Sequence, residues 1–324
     1  MARIPPAVAA VRLAVRRALA ELPAGGCVLV ACSGGADSLA LASATAFVAP
    51  RLGLTHGLVT VDHGLQAGSD ERAAEVAAWA DKVGFVPAEV LAVEVAGRPG
   101  GPEAAARTAR YQALAGAARR HRAVAVLLGH TEDDQAETVL LALARCAGPR
   151  GLAGMPRRRD LLLRPLLDVS RADTRRACAA LGLTPWDDPH NTDPAYARSR
   201  VRHDVLPALI AALGPAVVGN LARTAAQLAG DNAYLDHIAA TALAESRTAN
   251  GLDLEKLSGM PSAVRTRVLH AWARELGASG SALSHRHVQA MDALVTDWHG
   301  QGPASLPGGL RVARRGAELT HREV

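Results

Sequence analysis

The sequence predicts an α/β protein: a Rossmann-like parallel sheet with helices on both faces, followed by a smaller, mainly helical α+β C-terminal domain. Short apolar runs at 27–32, 57–62, 89–95 and 124–129 alternate with Ala-rich segments of helical spacing around 36–49, 69–84 and 103–121. That alternation is the mark of βαβ units, whose sheet is covered on both faces. The segments 33–38, 62–64 and 129–137 begin where three of the apolar runs end, and the crevice beyond the carboxyl ends of such strands is where ligands sit. The pattern then changes: a long Ala/Leu stretch from about 216 to 248 reads as a linking helix, broken near Gly230, and divides a domain at 1–215 from one at 216–324.

Between these parts, 147–159 is rich in Gly, Pro and Arg and reads as a mobile surface loop. A short apolar run at 161–163 follows, then a helix opened by Ser170 as N-cap. Residues 184–203 are polar and punctuated by Pro. In the second domain, helices are expected near 253–257, 262–276 and 284–296, with two or three short strands around Pro307-Gly308-Gly309 and Gly316.

Composition narrows the function classes. The 324 residues are 49% hydrophobic with net charge +5, an ordinary core-forming chain that tolerates a polyanionic partner without requiring one. No apolar run has the roughly 20 residues of a membrane span, and the N-terminus lacks a signal-peptide pattern, so a cytoplasmic address is expected. The cysteines, Cys27, Cys32, Cys146 and Cys178, form no CxxC and no zinc-ligand spacing. Lys82 and Lys256 are the only lysines, so a Walker A loop is absent. Phosphate handling therefore falls to backbone amides, arginine and metal.

Ser33-Gly34-Gly35-Ala36-Asp37-Ser38 follows a strand and opens a helix, the setting in which backbone amides receive a phosphate. Asp37 would repel that phosphate unless a divalent cation lies between, which implies Mg2+; an ordinary glycine turn with an Asp-Ser cap is the alternative. In Gly129-His130-Thr-Glu-Asp133-Asp134-Gln-Ala-Glu137, the residues His130, Asp133, Asp134 and Glu137 fall at i, i+3, i+4 and i+7, within about 100° of one helix face. Asp133 and Glu137 repel one another with no lysine nearby, and the cluster calls for a cation. A solvated acidic first turn is the alternative there. Glu103, Arg107 and Arg110 fall at i, i+4 and i+7, which an internal ion pair would explain.

Three of these segments and a fourth resemble known families. The SGGADS string resembles the PP-loop of the N-type ATP pyrophosphatases, which split ATP between its α- and β-phosphates and transfer AMP to a substrate. GHTEDDQAET is similar to the GHxxDDxxET motif of the tRNA(Ile)-lysidine synthases, Glu103–Tyr111 to that family's E-x-x-A-R-x-x-R-Y helix, and the segment Trp186–His203 to its D-P-S-N-x-D-x-x-x-x-R-N-x-x-R block. His190 and Ser199 depart from that last pattern, so nothing is carried to those two positions. A weaker likeness runs through 284–318.

The resemblance implies an enzyme that uses ATP and Mg2+ to join free L-lysine to the wobble cytidine of a tRNA(Ile) with a CAU anticodon. It implies nucleotide contacts from Ser33 to Ser38, Asp62, His63, Arg107, Arg110, Gly129 and His130, and metal on Asp37 and Asp134. Catalysis falls to Asp37, Asp133, Asp134 and Glu137, and the substrates to Asp133, Asp134, Glu137, Asn191, Asp193, Arg198 and Arg202. Asp37→Ala and Glu137→Ala are both expected to abolish transfer without unfolding the chain. A homodimer is compatible with the sequence. The alternatives are another PP-loop enzyme, such as a tRNA thiolation enzyme, or a catalytically silent tRNA-binding module.

Overall fold

A computed structural model describes residues 4–64, 68–94, 102–187, 193–280 and 282–322, with the backbone alone for 102–104 and 322. The chain divides into two compact units, 1–228 and 229–324.

The first unit opens with α1 (Pro6–Leu19), an element the sequence reading did not name. Proline near its start suits a helix N-terminus, and Val8, Val11, Val15 and Leu19 recur at helical spacing on its buried face. Strand β1 (Cys27–Ala31) and helix α2 (Ala36–Val48) follow, then β2 (Thr55–Asp62), α3 (Ser69–Lys82), β3 (Ala88–Ala92), α4 (Pro102–Arg120), β4 (Ala123–Leu128) and α5 (Glu132–Ala144). These four strands and four helices are the alternation expected from the sequence. β1 pairs in parallel with both β2 and β4, and the order across the sheet is β3-β2-β1-β4. The chain thus reverses its direction of travel between β1 and β4, and the loops after those two strands flank the resulting crevice.

The segment 147–159 is not the irregular loop expected. It holds α6 (Gly148–Leu152) and β5 (Arg158–Arg159), the latter antiparallel to β6 (Leu162–Leu163), which extends the sheet beyond β4. Side chains supply the order that composition hides. Gln135 on α5 donates to the Met155 carbonyl at 3.0 Å and accepts from its amide at 2.7 Å, and Arg164 donates to the Pro156 carbonyl at 2.8 Å.

Next come α7 (Arg171–Ala180), capped by Ser170 as expected, and α8 (Ala197–Arg200), which runs through a π-turn at Val201–Val205 into α9 (Leu206–Leu213). Helix α10 (Ala216–Glu245) is continuous through Gly230, so the expected break is absent. A single interior glycine costs a helix about 1 kcal/mol, too little to interrupt so long an element. Taken singly, no helix is long and apolar enough to cross a membrane among the described residues.

The second unit carries β7 (Gly251–Asp253), α11 (Leu254–Ser258), α12 (Ser262–Glu275), α13 (His285–Thr296), β8 (Ala304–Ser305), β9 (Arg311–Arg315) and β10 (Glu318–Arg322). Its antiparallel sheet has the order β7-β10-β9-β8. Leu252, Leu257, Leu269, Trp272, Met291, Val312 and Leu319 form a separate core. Strand β7 is too short to give a periodic signal and was not anticipated.

Candidate functional site

The loop after β1 is shaped by two glycines and one hydroxyl. Gly34 has φ +83°, a conformation that favours glycine, and Gly35 is the extended N-cap of α2. Ser38 accepts from the Ser33 amide at 3.2 Å and donates to the Gly35 carbonyl at 2.9 Å. Its hydroxyl proton therefore braces the loop from within. The Trp186 amide donates to the Gly34 carbonyl at 3.0 Å, and the Arg72 guanidinium lies 3.3 Å over the Trp186 ring.

A cavity of about 450 Å3 opens above this loop. Of the residues from which the resemblance implies nucleotide contacts, Ser33, Gly35, Ala36, Asp37, Ser38, Asp62, His63, Arg110, Gly129 and His130 line it and Gly34 does not; Arg72, Arg171, Trp186 and Arg202 line it as well. Arg107 does not line it but lies 5.0 Å from the Tyr111 ring, with Arg110 at 5.5 Å. The expected Glu103 ion pair and Asn191 lie outside the described residues. Asp193 accepts from the Ala195 amide in a local turn at 2.9 Å.

Gly129 shows how closely the two loops approach. A Cβ there would stand 3.1 Å from the Asp37 carbonyl and from the Ser38 Cα. Since those neighbours are backbone, Gly129→Ala is expected to displace the Ser33–Ser38 loop at a cost of about 1–2 kcal/mol, read as a roughly tenfold loss of affinity in an ATP titration.

Helix α5 begins two residues after His130, where the expected acidic face starts. Thr131 is its N-cap, in a capping box with Asp134, so His130 precedes the helix instead of lying on it. Burial holds the His130 ring neutral, with a pKa near 4 despite the pull of Asp134, and its Nδ1 has no hydrogen-bond partner among the described residues.

Between about pH 6.5 and 4 the unfolded chain binds the proton that folded His130 refuses, so its contribution to stability is full above 6.5 and declines as pH falls. Asp37, raised from 3.8 to about 6, acts in the opposite sense over an overlapping window. Urea denaturation of wild type and His130→Gln isolates the histidine. Going from pH 7.5 to 5, wild type is expected to lose roughly 2 kcal/mol relative to the variant.

The acidic face itself is closed. Side-chain exposure is 0% for Glu137 and 10% for Asp134, against 18%, 23% and 31% for Arg171, Arg202 and Arg198. The cation that the cluster calls for is supplied by the chain. Arg171 donates to Asp134 at 2.9 Å and Glu137 at 3.0 Å, and its backbone amide donates to Asp133 at 2.7 Å. Its Nε lies 3.7 Å from Asp37. Arg198 and Arg202 each reach Glu137 at 2.8 Å and Asp134 at 3.2 and 3.1 Å.

Burial opposes all these charges, yet the pairing wins. Asp134 is held at about 2, Glu137 below the ordinary glutamate range, and Arg171 above the ordinary arginine value. Asp37 is the exception: burial and the nearby Asp134 outweigh the Thr174 hydroxyl and Arg171 and push it up to about 6.

Arg171 and Thr174 were missed by the sequence reading. Both lie in the first turn of α7, where Arg171 meets α5 and Thr174 meets Asp37, so this turn ties the loop after β1 to the helix after β4. Ser170 as a cap was the one available signal, and it located the turn without showing what it faces.

The sheet order, the glycine loop and the paired arginines define a PP-loop domain, and the family model described as "PP-loop domain" matches residues 11–209. A second model, "TilS substrate binding domain", matches residues 252–319. The chain is 68% identical to a tRNA(Ile)-lysidine synthase of Salinispora tropica over 99% of its own length and 98% of that protein's. It is 57% identical to one of Thermobifida fusca over 97% of each chain. The chain belongs to the tRNA(Ile)-lysidine synthase family. Among solved structures, a U34-tRNA thiolase of Methanococcus maripaludis shares the fold at a TM-score of 0.56 and 18% identity, over 68% of this chain and 79% of that one.

Proposed function

We propose that this protein joins the ε-amine of L-lysine to C2 of the wobble cytidine in a CAU anticodon of tRNA(Ile), with ATP split to AMP and pyrophosphate. The observation that carries this reading is the adjacency of the Ser33–Ser38 loop to the buried carboxylates of α5 through Arg171. A phosphate site on the cavity and a cation site behind it are then joined by Arg171, which lines the cavity and donates to both Asp134 and Glu137. The cytidine O2 attacks the α-phosphate, and the bond to the β-phosphate breaks. The amine next forms the C2–N bond while the C2–O bond breaks, releasing AMP.

Loop amides, Arg110 and Arg202 would steady the phosphates. Asp134, held near 2, is a poor proton acceptor, so the α5 carboxylates hold lysine's ammonium and the proton leaves through the open cavity. The donor set fits Mg2+ of the kind bound through one or two carboxylates and substrate phosphates. Asp37, raised to about 6 by burial, is the carboxylate that gains most from a divalent cation, whereas Asp134, whose oxygens already accept from three arginines and from Thr131, has no lone pair to spare for it. The metal would neutralise charge on departing pyrophosphate.

The second unit would dock the tRNA, whose anticodon loop presents unpaired bases to be read by their edges. Such a reaction belongs in the cytoplasm. Incubating the full chain with labelled lysine, ATP and a tRNA(Ile) transcript is expected to transfer label with one AMP released per lysine. Transfer of ammonia or sulfur in place of lysine would refute the reading.

A further inference from the structure

The α5 carboxylates are saturated. Glu137 Oε1 accepts from Arg171 and Arg202, and its Oε2 from Arg198 and Arg202. These four bonds fill the acceptor capacity of a carboxylate. Asp134 Oδ1 accepts from all three arginines, and its Oδ2 from the Thr131 amide and hydroxyl. An incoming ammonium has no vacant lone pair to meet. It binds here only by taking an arginine's place.

The three arginines are not equally replaceable. Arg171 is pinned by its own backbone bond to Asp133 and its proximity to Asp37. Arg198 also donates to the Asp134 backbone carbonyl at 3.3 Å and does not line the cavity. Among the described residues, Arg202 donates to Glu137 and Asp134 alone, and it lines the cavity that holds the Ser33–Ser38 loop. It also sits in the π-turn, a backbone form that relaxes to α-helix by shifting its hydrogen bonds.

We infer that Arg202 is an exchangeable counter-ion: lysine's ε-ammonium replaces it on Glu137, and the freed guanidinium turns to the phosphates in the adjoining cavity. The exchange rests on lysine being the substrate. It keeps the charge beside Glu137 constant, one cation leaving as another arrives. Arg202 cannot serve both anions at once, so lysine binding supplies the phosphates with a cation they otherwise lack. Lysine and nucleotide must then tighten each other's binding by a common factor. Arg202 is a positioning residue in this scheme, setting the order in which the site fills.

The test uses the full chain with Mg2+ and α,β-methylene-ATP, which is not cleaved at the reactive bond, titrated calorimetrically with and without saturating L-lysine. Lysine is expected to lower the nucleotide Kd about tenfold, and the nucleotide to lower the lysine Kd equally. L-norleucine, which lacks the ε-amine, is expected to change nothing. In Arg202→Gln, lysine alone is expected to bind several-fold tighter because Glu137 is freed, and the coupling should vanish; Arg202→Lys should retain part of it. A general loss of structure would weaken both ligands and could not tighten lysine. Lysine that binds wild type without altering nucleotide affinity overturns the exchange and leaves the proposed reaction standing. Wild type that binds no lysine even beside the nucleotide overturns both.

Discussion

Glu137→Ala is expected to abolish lysine transfer and to destabilise the first unit by about 3–5 kcal/mol, the cost of removing one partner from a buried ion cluster. The sequence alone suggested loss of activity without unfolding, and the geometry changes that. Glu137 has no exposed side-chain surface and receives four hydrogen bonds from three arginines. Its removal leaves those guanidiniums crowded on Asp134 in a poorly solvated place. Glu137→Gln keeps the volume and one acceptor oxygen, so a smaller stability loss with comparable inactivity is expected. Urea denaturation separates the two effects when run beside single-turnover assays at a temperature where the variants are folded. Glu89→Gln is the control: its partners Arg120 and His121 are 52% and 28% exposed, and solvent-accessible pairs of this kind are worth at most about 1 kcal/mol each.

What the sequence discloses here is what one element can disclose about itself. Strands β1 to β4 and helices α2 to α5 announce themselves by period, because each buries a face whose spacing is set by its own geometry. The Ser33–Ser38 loop and the acidic α5 residues were legible for the same reason, being contiguous. The arginine side of the cluster was only half legible. Arg198 and Arg202 came through a family resemblance, whereas Arg171 lies 34 positions from Glu137 along the chain and meets it only after α7 has packed. The ordering of 147–159 was hidden likewise, since the Gln135 clamp on Met155 acts across 20 positions. Continuity of α10 was obscured by Gly230, where a small local penalty was read as a break.

Asp37→Asn is expected to separate function from stability in the opposite way to Glu137→Ala. Pyrophosphate release should fall by about a thousandfold, the scale seen when one preorganised charge-stabilising group is lost, while the melting temperature at pH 7.5 without metal should hold or rise. The reason lies in the sign of the Asp37 shift. Its pKa in the folded chain, about 6, is above the ordinary 3.8, so the folded state retains a proton that the unfolded state has released. Stability therefore falls as pH rises through that window and stays reduced above it. An amide removes the penalty and can still accept from the Thr174 hydroxyl, which now holds the carboxylate. Mg2+ should then raise the melting temperature of wild type more than that of the variant, because only the carboxylate exchanges an unfavourable buried charge for a metal bond. Equal stabilisation of both proteins by Mg2+ would remove Asp37 from the metal site and leave its raised pKa as a consequence of packing alone.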